Sequence, residues 1–272
     1  MREISIVIGL ILLAAALRSA RMKGVRKLGA LMMLVASFCL FQFITGSLAA
    51  GFIGVGAWFF LPWFELLTRV RKMKLPLNNR LRPQEIPNPA FFPNASEAAA
   101  AMEEANFEHS LDCGWDWAGM KQYFQLFWNP EERAIASVCL CEQSNVAFAF
   151  ITITSQDTDG NIWRTTNFPF APSLRCPPHV RWNHVPCERS CFHHILADHH
   201  GYLAKMKIPS YHLRVPDPDE IQHEIESEMR VQLQHNLDAK FIQLTGDGYF
   251  QYSKRGLLFL WGQSIKDMIR LC

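Results

Sequence analysis

Charge is scarce in this sequence: Asp, Glu, Lys and Arg make up 19% of its 272 residues, below the roughly one quarter usual for soluble domains. Glycine and proline number 15 each, too few for a collagen-like or low-complexity chain. There is no G-x-S-x-G elbow and no phosphate-cradling glycine loop, so the common signatures of α/β-hydrolases and P-loop enzymes are missing. The eight cysteines lack the dense spacing of a small disulfide framework, which fits a reducing compartment. Acid is scarcest at the start. Residues 1–74 hold 2 Asp/Glu against 10 Lys/Arg, a balance of +8, and residues 75–272 hold 23 against 17, a balance of −6. The whole-chain pI of about 8.1 therefore describes neither part.

What the first part has in place of acid is apolar length. Ile4–Leu17 is apolar apart from Ser5. Extended to Ala20 past a snorkelling Arg18, it reaches the lower edge of a bilayer span, about 17 residues. Arg18 also stands where a cleaved signal peptide would need small residues. Leu28–Leu67 carries only Gln42 and Glu65 as strongly polar residues. One helix of that length would be about 60 Å long, twice the hydrocarbon thickness of about 30 Å. Two helices fit, breaking at Thr45-Gly46-Ser47, so spans are predicted over 4–20, 28–45 and 48–67. Gly51, Gly54 and Gly56 suit close helix packing, and Trp58 and Trp63 suit an interfacial belt.

Orientation follows from the cations. Arg18, Arg21, Lys23, Arg26 and Lys27 lie between the first two segments, and Arg69, Arg71, Lys72 and Lys74 follow the third. A two-helix hairpin puts both clusters on one side, as the positive-inside rule requires. The prediction is an integral membrane protein with its N-terminus outside and its C-terminal domain in the cytoplasm. There the Asn94-Ala95-Ser96 sequon has no role.

Residues 75–94 contain Pro76, Pro83, Pro87, Pro89 and Pro93, which predicts an extended linker without helix or strand. Residues 95–272 read as an α+β domain. A helix starts at an N-cap Ser96. Asp112–Trp117 reads as a loop with aromatic anchors. An antiparallel meander with local connections then runs through Tyr123–Trp128, Ala134–Gln143, Val146–Ser155 and Ile162–Asn167, with a further strand at Val180–His184. Asp157–Gly160 is a turn. Helices are segregated after the sheet: Glu188–Lys205, one opened by Asp217-Pro218 and running to Leu237, and Gly256–Leu271. A hairpin of Phe241–Thr245 and Tyr249–Ser253, turning at Gly246-Asp247-Gly248, precedes the last helix. That helix is amphipathic, so it packs either on the domain's own core or on the inner membrane leaflet.

The chemistry-bearing cluster is Cys/His-rich. Cys176, His179, His184, Cys187, Cys191 and His194 are the candidate zinc ligands. A helix carried back through Cys187 would align Cys187, Cys191, His194 and Asp198. Residues seven apart lie about 10 Å apart along the axis, too far for one ion, so one i,i+4 pair would need help from the preceding loop. His199 falls on the apolar face and reads as a core histidine. Cys139 and Cys141 share a strand face and read as small apolar residues. His109 and Cys113 are a conceivable base and nucleophile. Helix, hairpin and helix at the C-terminus loosely resemble a winged-helix unit with Lys254 and Arg255 on the wing. The acidic residues Asp219, Glu220, Glu224, Glu226 and Glu228 would repel phosphates, which argues against nucleic acid as a partner.

The leading expectation is a membrane-anchored, non-catalytic cytoplasmic interaction or sensory module without cofactor. Its partners would be the bilayer and another protein, a second copy of the chain among the candidates. A tethered zinc-dependent enzyme using the Cys/His cluster is the second reading, and a membrane-anchored DNA-binding regulator the third.

Overall fold

The computed structural model describes residues 2–271 except 21, 79, 86–91, 93, 118–119, 144–145, 188–189 and 247. Arg21, Pro87, Pro89, Pro93, the start of the helix expected from Glu188, and the Asp247 turn residue thus lie outside the described residues. The helices are α1 (Arg2–Arg18), α2 (Lys23–Thr45), α3 (Leu48–Thr68), α4 (Ala95–Glu104), α5 (Phe192–Lys205), α6 (Ile221–Asp238) and α7 (Lys254–Leu271). The strands are β1 (Leu75–Pro76), β2 (Arg82–Pro83), β3 (Glu108–Trp117), β4 (Met120–Asn129), β5 (Ala134–Gln143), β6 (Val146–Gln156), β7 (Ile162–Thr166), β8 (Val180–His184), β9 (Ile242–Gly246) and β10 (Tyr249–Tyr252). The chain divides into two compact units, residues 1–73 with 252–272, and residues 74–251.

The first unit is helical. Gly46 ends α2 in the left-handed region at φ 70°, and its N–H closes on Gln42; such a stop favours glycine. Among the described residues, two stretches are long and apolar enough to cross a membrane, Gly24–Thr45 and Leu48–Lys72. Their side chains are largely exposed, with Ile44, Phe52 and Phe64 at 70–73%. Close packing comes where glycine permits it. A Cβ at Gly29 would meet the α1 backbone at Arg18 N and Ala14 O, 2.8 and 2.9 Å away, and a Cβ at Gly51 would meet the Phe38 ring at 2.7 Å. Trp58 Nε1 donates to Ser37 Oγ at 2.9 Å, tying α3 to α2. The C-terminal α7 packs on α3 in this unit.

The second unit is built on a seven-stranded sheet, β2-β3-β4-β5-β6-β7-β8 in chain order. All neighbours are antiparallel except β7 and β8, which are parallel. The meander of β4 to β7 has the local antiparallel connections expected of it, whereas the further strand β8 joins in parallel, which requires the Asn167–His179 crossover. A separate three-stranded sheet has the order β1-β10-β9. The region expected to lack strands thus supplies two. Both are two-residue edge strands, where proline's missing N–H costs no ladder bond.

The stretch read as an aromatic loop is β3. Asp112, Gly114 and Asp116 disguise it, yet Leu111, Cys113 and Trp115 alternate with them onto one face. A register shift between His109 and Leu111 marks a bulge. Helix starts also move. Helix α4 begins at Ala95, with Asn94 at the cap, and α5 at Phe192. Asp217 closes a turn, its Oδ1 accepting from Asp219 N, and α6 starts only at Ile221. One sheet face packs Tyr123, Phe127, Val138, Leu140, Ile151 and Ile153 under Met102 of α4 and Phe192 and Ile195 of α5. The other packs Leu126, Cys113 and Phe124 near Ile221 and Ile225 of α6.

Candidate functional site

The six proposed zinc ligands spread along the crossover and its exit. Cys176 and His179 line one cavity of about 20 Å³ with Arg164, Trp182, Glu228 and Gln232, room for about one water. His184 ends β8 with its ring stacked on Trp182 at 5.5 Å. Cys187 and Cys191 are exposed, Cys191 at the cap of α5, and His194 faces solvent. Because α5 starts at Phe192, Cys187 is off the helix and the expected stripe does not form. The buried stripe is Phe192, Ile195, His199 and Leu203. Among the described residues no group of three or more His, Cys, Asp or Glu side chains is gathered around one point.

Arg164 dominates the cavity wall. Its Nη2 donates to Glu228 Oε2 at 2.6 Å, its Nε donates to Thr154 Oγ1 at 3.0 Å, and its guanidinium lies 5.0 Å from the Trp182 ring centre. Its bond to Glu228 pins α6 to the sheet. Burial pushes the Cys176 thiol up, against the opposing pull of Trp182 and Arg164, so it is a poor nucleophile at neutral pH.

Three further thiols are closed in the same way. Burial pushes the thiols of Cys113, Cys139 and Cys141 up to about 12. His109 does not approach Cys113. It pairs with Asp112 at 2.8 Å and sits edge-on to Phe127, whereas Cys113 belongs to the core of the opposite sheet face. His199 is buried as the sequence pattern implied. One ring nitrogen meets Ser155 Oγ at 3.2 Å and the other Thr165 Oγ1 at 2.9 Å. Burial, then the neighbouring His200, lowers its pKa to about 3, so it is neutral and structural.

The winged-helix outline divides differently in three dimensions. The hairpin β9–β10 takes β1 as its third strand, and α7 packs with α3.

Sequence reasoning missed an aromatic surface. Phe148 and Phe150 point the same way from β6, and Phe168 and Phe170 stand beside them after β7. Phe150 and Phe168 are 4.7 Å apart between ring centres, and Phe148 and Phe170 5.7 Å. Phe170 is exposed and the other three half-buried. The segment is held rigidly. Ile151 N donates to Asn167 Oδ1 at 2.7 Å, Thr166 Oγ1 donates to Ile151 O, and Phe168 N donates to Thr166 Oγ1. The signal was present in Asn167-Phe168-Pro169-Phe170, two aromatics just beyond a strand where a chain usually turns polar. No protein family, curated protein or solved structure matches this chain.

Proposed function

We propose that this chain is a membrane-anchored, non-catalytic interaction module. In this reading α1, α2 and α3 span the bilayer, the N-terminus lies outside, and the sheet domain stands in the cytoplasm. Support comes from the largely exposed apolar side chains of α2 and α3, since a large apolar side chain left fully in water forgoes about 1.5–3 kcal/mol of burial. The two cationic clusters in the sequence flanking the hairpin support this direction.

The observation that carries the interaction reading is the phenylalanine cluster. A cluster of one exposed and three half-buried rings at the surface suits a contact site, and aromatic side chains with two χ angles lose little entropy on binding. The occupant is a protein partner presenting apolar side chains. A photo-crosslinking amino acid at Phe170 of the full chain, activated in native membranes, tests this. A discrete protein adduct that disappears in Phe148→Ser/Phe168→Ser is expected. A folded protein giving only diffuse adducts, unchanged in that variant, would overturn it.

A further inference from the structure

The C-terminal helix carries information that the membrane reading does not use. α7 is the most strongly amphipathic of the described helices. It is held to α3 by one residue acting twice. Trp261 stacks on Trp63, with ring centres 5.9 Å apart, and its Nε1 donates to the carbonyl of Phe59 at 2.7 Å. Pro62 lies in the same turn of α3; having no N–H, it leaves the Trp58 carbonyl without its usual donor, one residue before the acceptor that Trp261 uses. Neighbouring helices commonly supply donors at such places in membranes.

The contact with α3 leaves another strip of α7 open. Leu258 and Ile269 are 54% and 59% exposed, and with Ile265 they fall within about 40° of one another around the axis. In the sequence of α7, Lys254, Arg255, Lys266 and Arg270 stand against Asp267 alone. Charges in its second half unfit it as a span. An apolar strip edged by cations is the pattern of a helix lying in a lipid interface.

We propose that α7 lies in the bilayer interface beside α3, with Leu258, Ile265 and Ile269 in the acyl boundary and Lys254 and Lys266 among anionic headgroups. This rests on the membrane reading of α2 and α3. Under it the sheet domain is tethered at both its ends. The pairing of β1 with β10, Leu75 opposite Phe250, brings the outgoing and returning chains side by side.

The test uses the full chain in nanodiscs of phosphatidylcholine with a minor share of phosphatidylserine. The lipids carry photoactivatable groups in the acyl chains, and adducts are mapped by mass spectrometry. Acyl adducts are expected on α2, on α3 and on the Leu258–Ile269 stretch. Labelling of α2 and α3 with 254–271 bare would overturn this inference alone. If α2 and α3 are also bare, the membrane reading itself falls, and this inference with it. Lys254→Gln and Lys266→Gln should each lower phosphatidylserine enrichment among the α7 adducts about fivefold. Unchanged enrichment in both would overturn the headgroup contact.

Discussion

His199 shows how an ionisable residue can be made part of a core. Its ring is buried and both nitrogens are occupied by Ser155 and Thr165, so folding holds it neutral. Its folded pKa of about 3 lies below the ordinary 6.5. As pH falls, the unfolded chain therefore takes up the proton first. The contribution is complete above about 6.5 and is lost progressively toward 3, at about 1.4 kcal/mol per pH unit. Between pH 6.5 and 5, where most carboxylates remain charged, hydrogen-exchange protection of β6 and β7 amides should fall with pH. His199→Leu should flatten that dependence while lowering protection overall, because Ser155 and Thr165 lose a partner. Equal slopes in both proteins would show that His199 is not the titrating group. Asp157 fixes the turn beside it. Burial opposes its charge, but bonds from the Asn161 side chain and backbone, Trp163 and Asp159 outweigh that and lower its pKa. Gly160 completes the turn at φ 82°, a value costly for a branched side chain. Gly160→Val should destabilise the domain by about 1 kcal/mol or more, measured as lost protection at Ile162–Thr166.

At the scale of elements, strands bounded by clear turns were legible. Ala134–Gln143 falls where the sequence put it, a short apolar run buried on both faces at Val138, Cys139, Leu140 and Cys141, and Val180–His184 falls where its alternating Val180, Trp182 and His184 put it. β3 was hidden because Asp112, Gly114 and Asp116 occupy its less buried face and look like a turn. Helix α6 starts at Ile221, three residues beyond the expected Pro218, because Asp217 binds a local turn first. The helix pair α1–α2 makes a sharper statement. Gly29 sits so close to the α1 backbone that even a methyl group has no room. Gly29→Leu should push α1 away from α2 and lower the thermal stability of the full chain in detergent. Gly24→Leu, with open space around it, should be neutral. Equal effects at the two sites would show that the close approach is not structural.

At the scale of the whole molecule, the candidate site was less legible than the fold. The Cys/His richness of residues 176–200 drew attention to metal, but a ligand set is a matter of convergence, and these side chains point along a crossover, a strand end and a helix cap. Zinc analysis of the purified full chain is expected to show less than stoichiometric metal, with unfolding unchanged by a chelator. Stoichiometric zinc with loss of fold on chelation would restore the enzyme reading. The phenylalanine cluster was invisible for the converse reason: its four members come from two segments joined only by the β6–β7 register. The placement of α7 was beyond local pattern altogether, since Trp261 finds its acceptor at Phe59, a contact no amphipathic period encodes. The central claim, a hairpin of spans presenting the sheet domain to the cytoplasm, is tested most directly by topology reporters in the full chain. Compartment-specific reporters inserted after Gly46 and after Lys74 should report opposite sides, Gly46 external and Lys74 cytoplasmic. Both sites on the same side, or an external signal after Lys74, would contradict it.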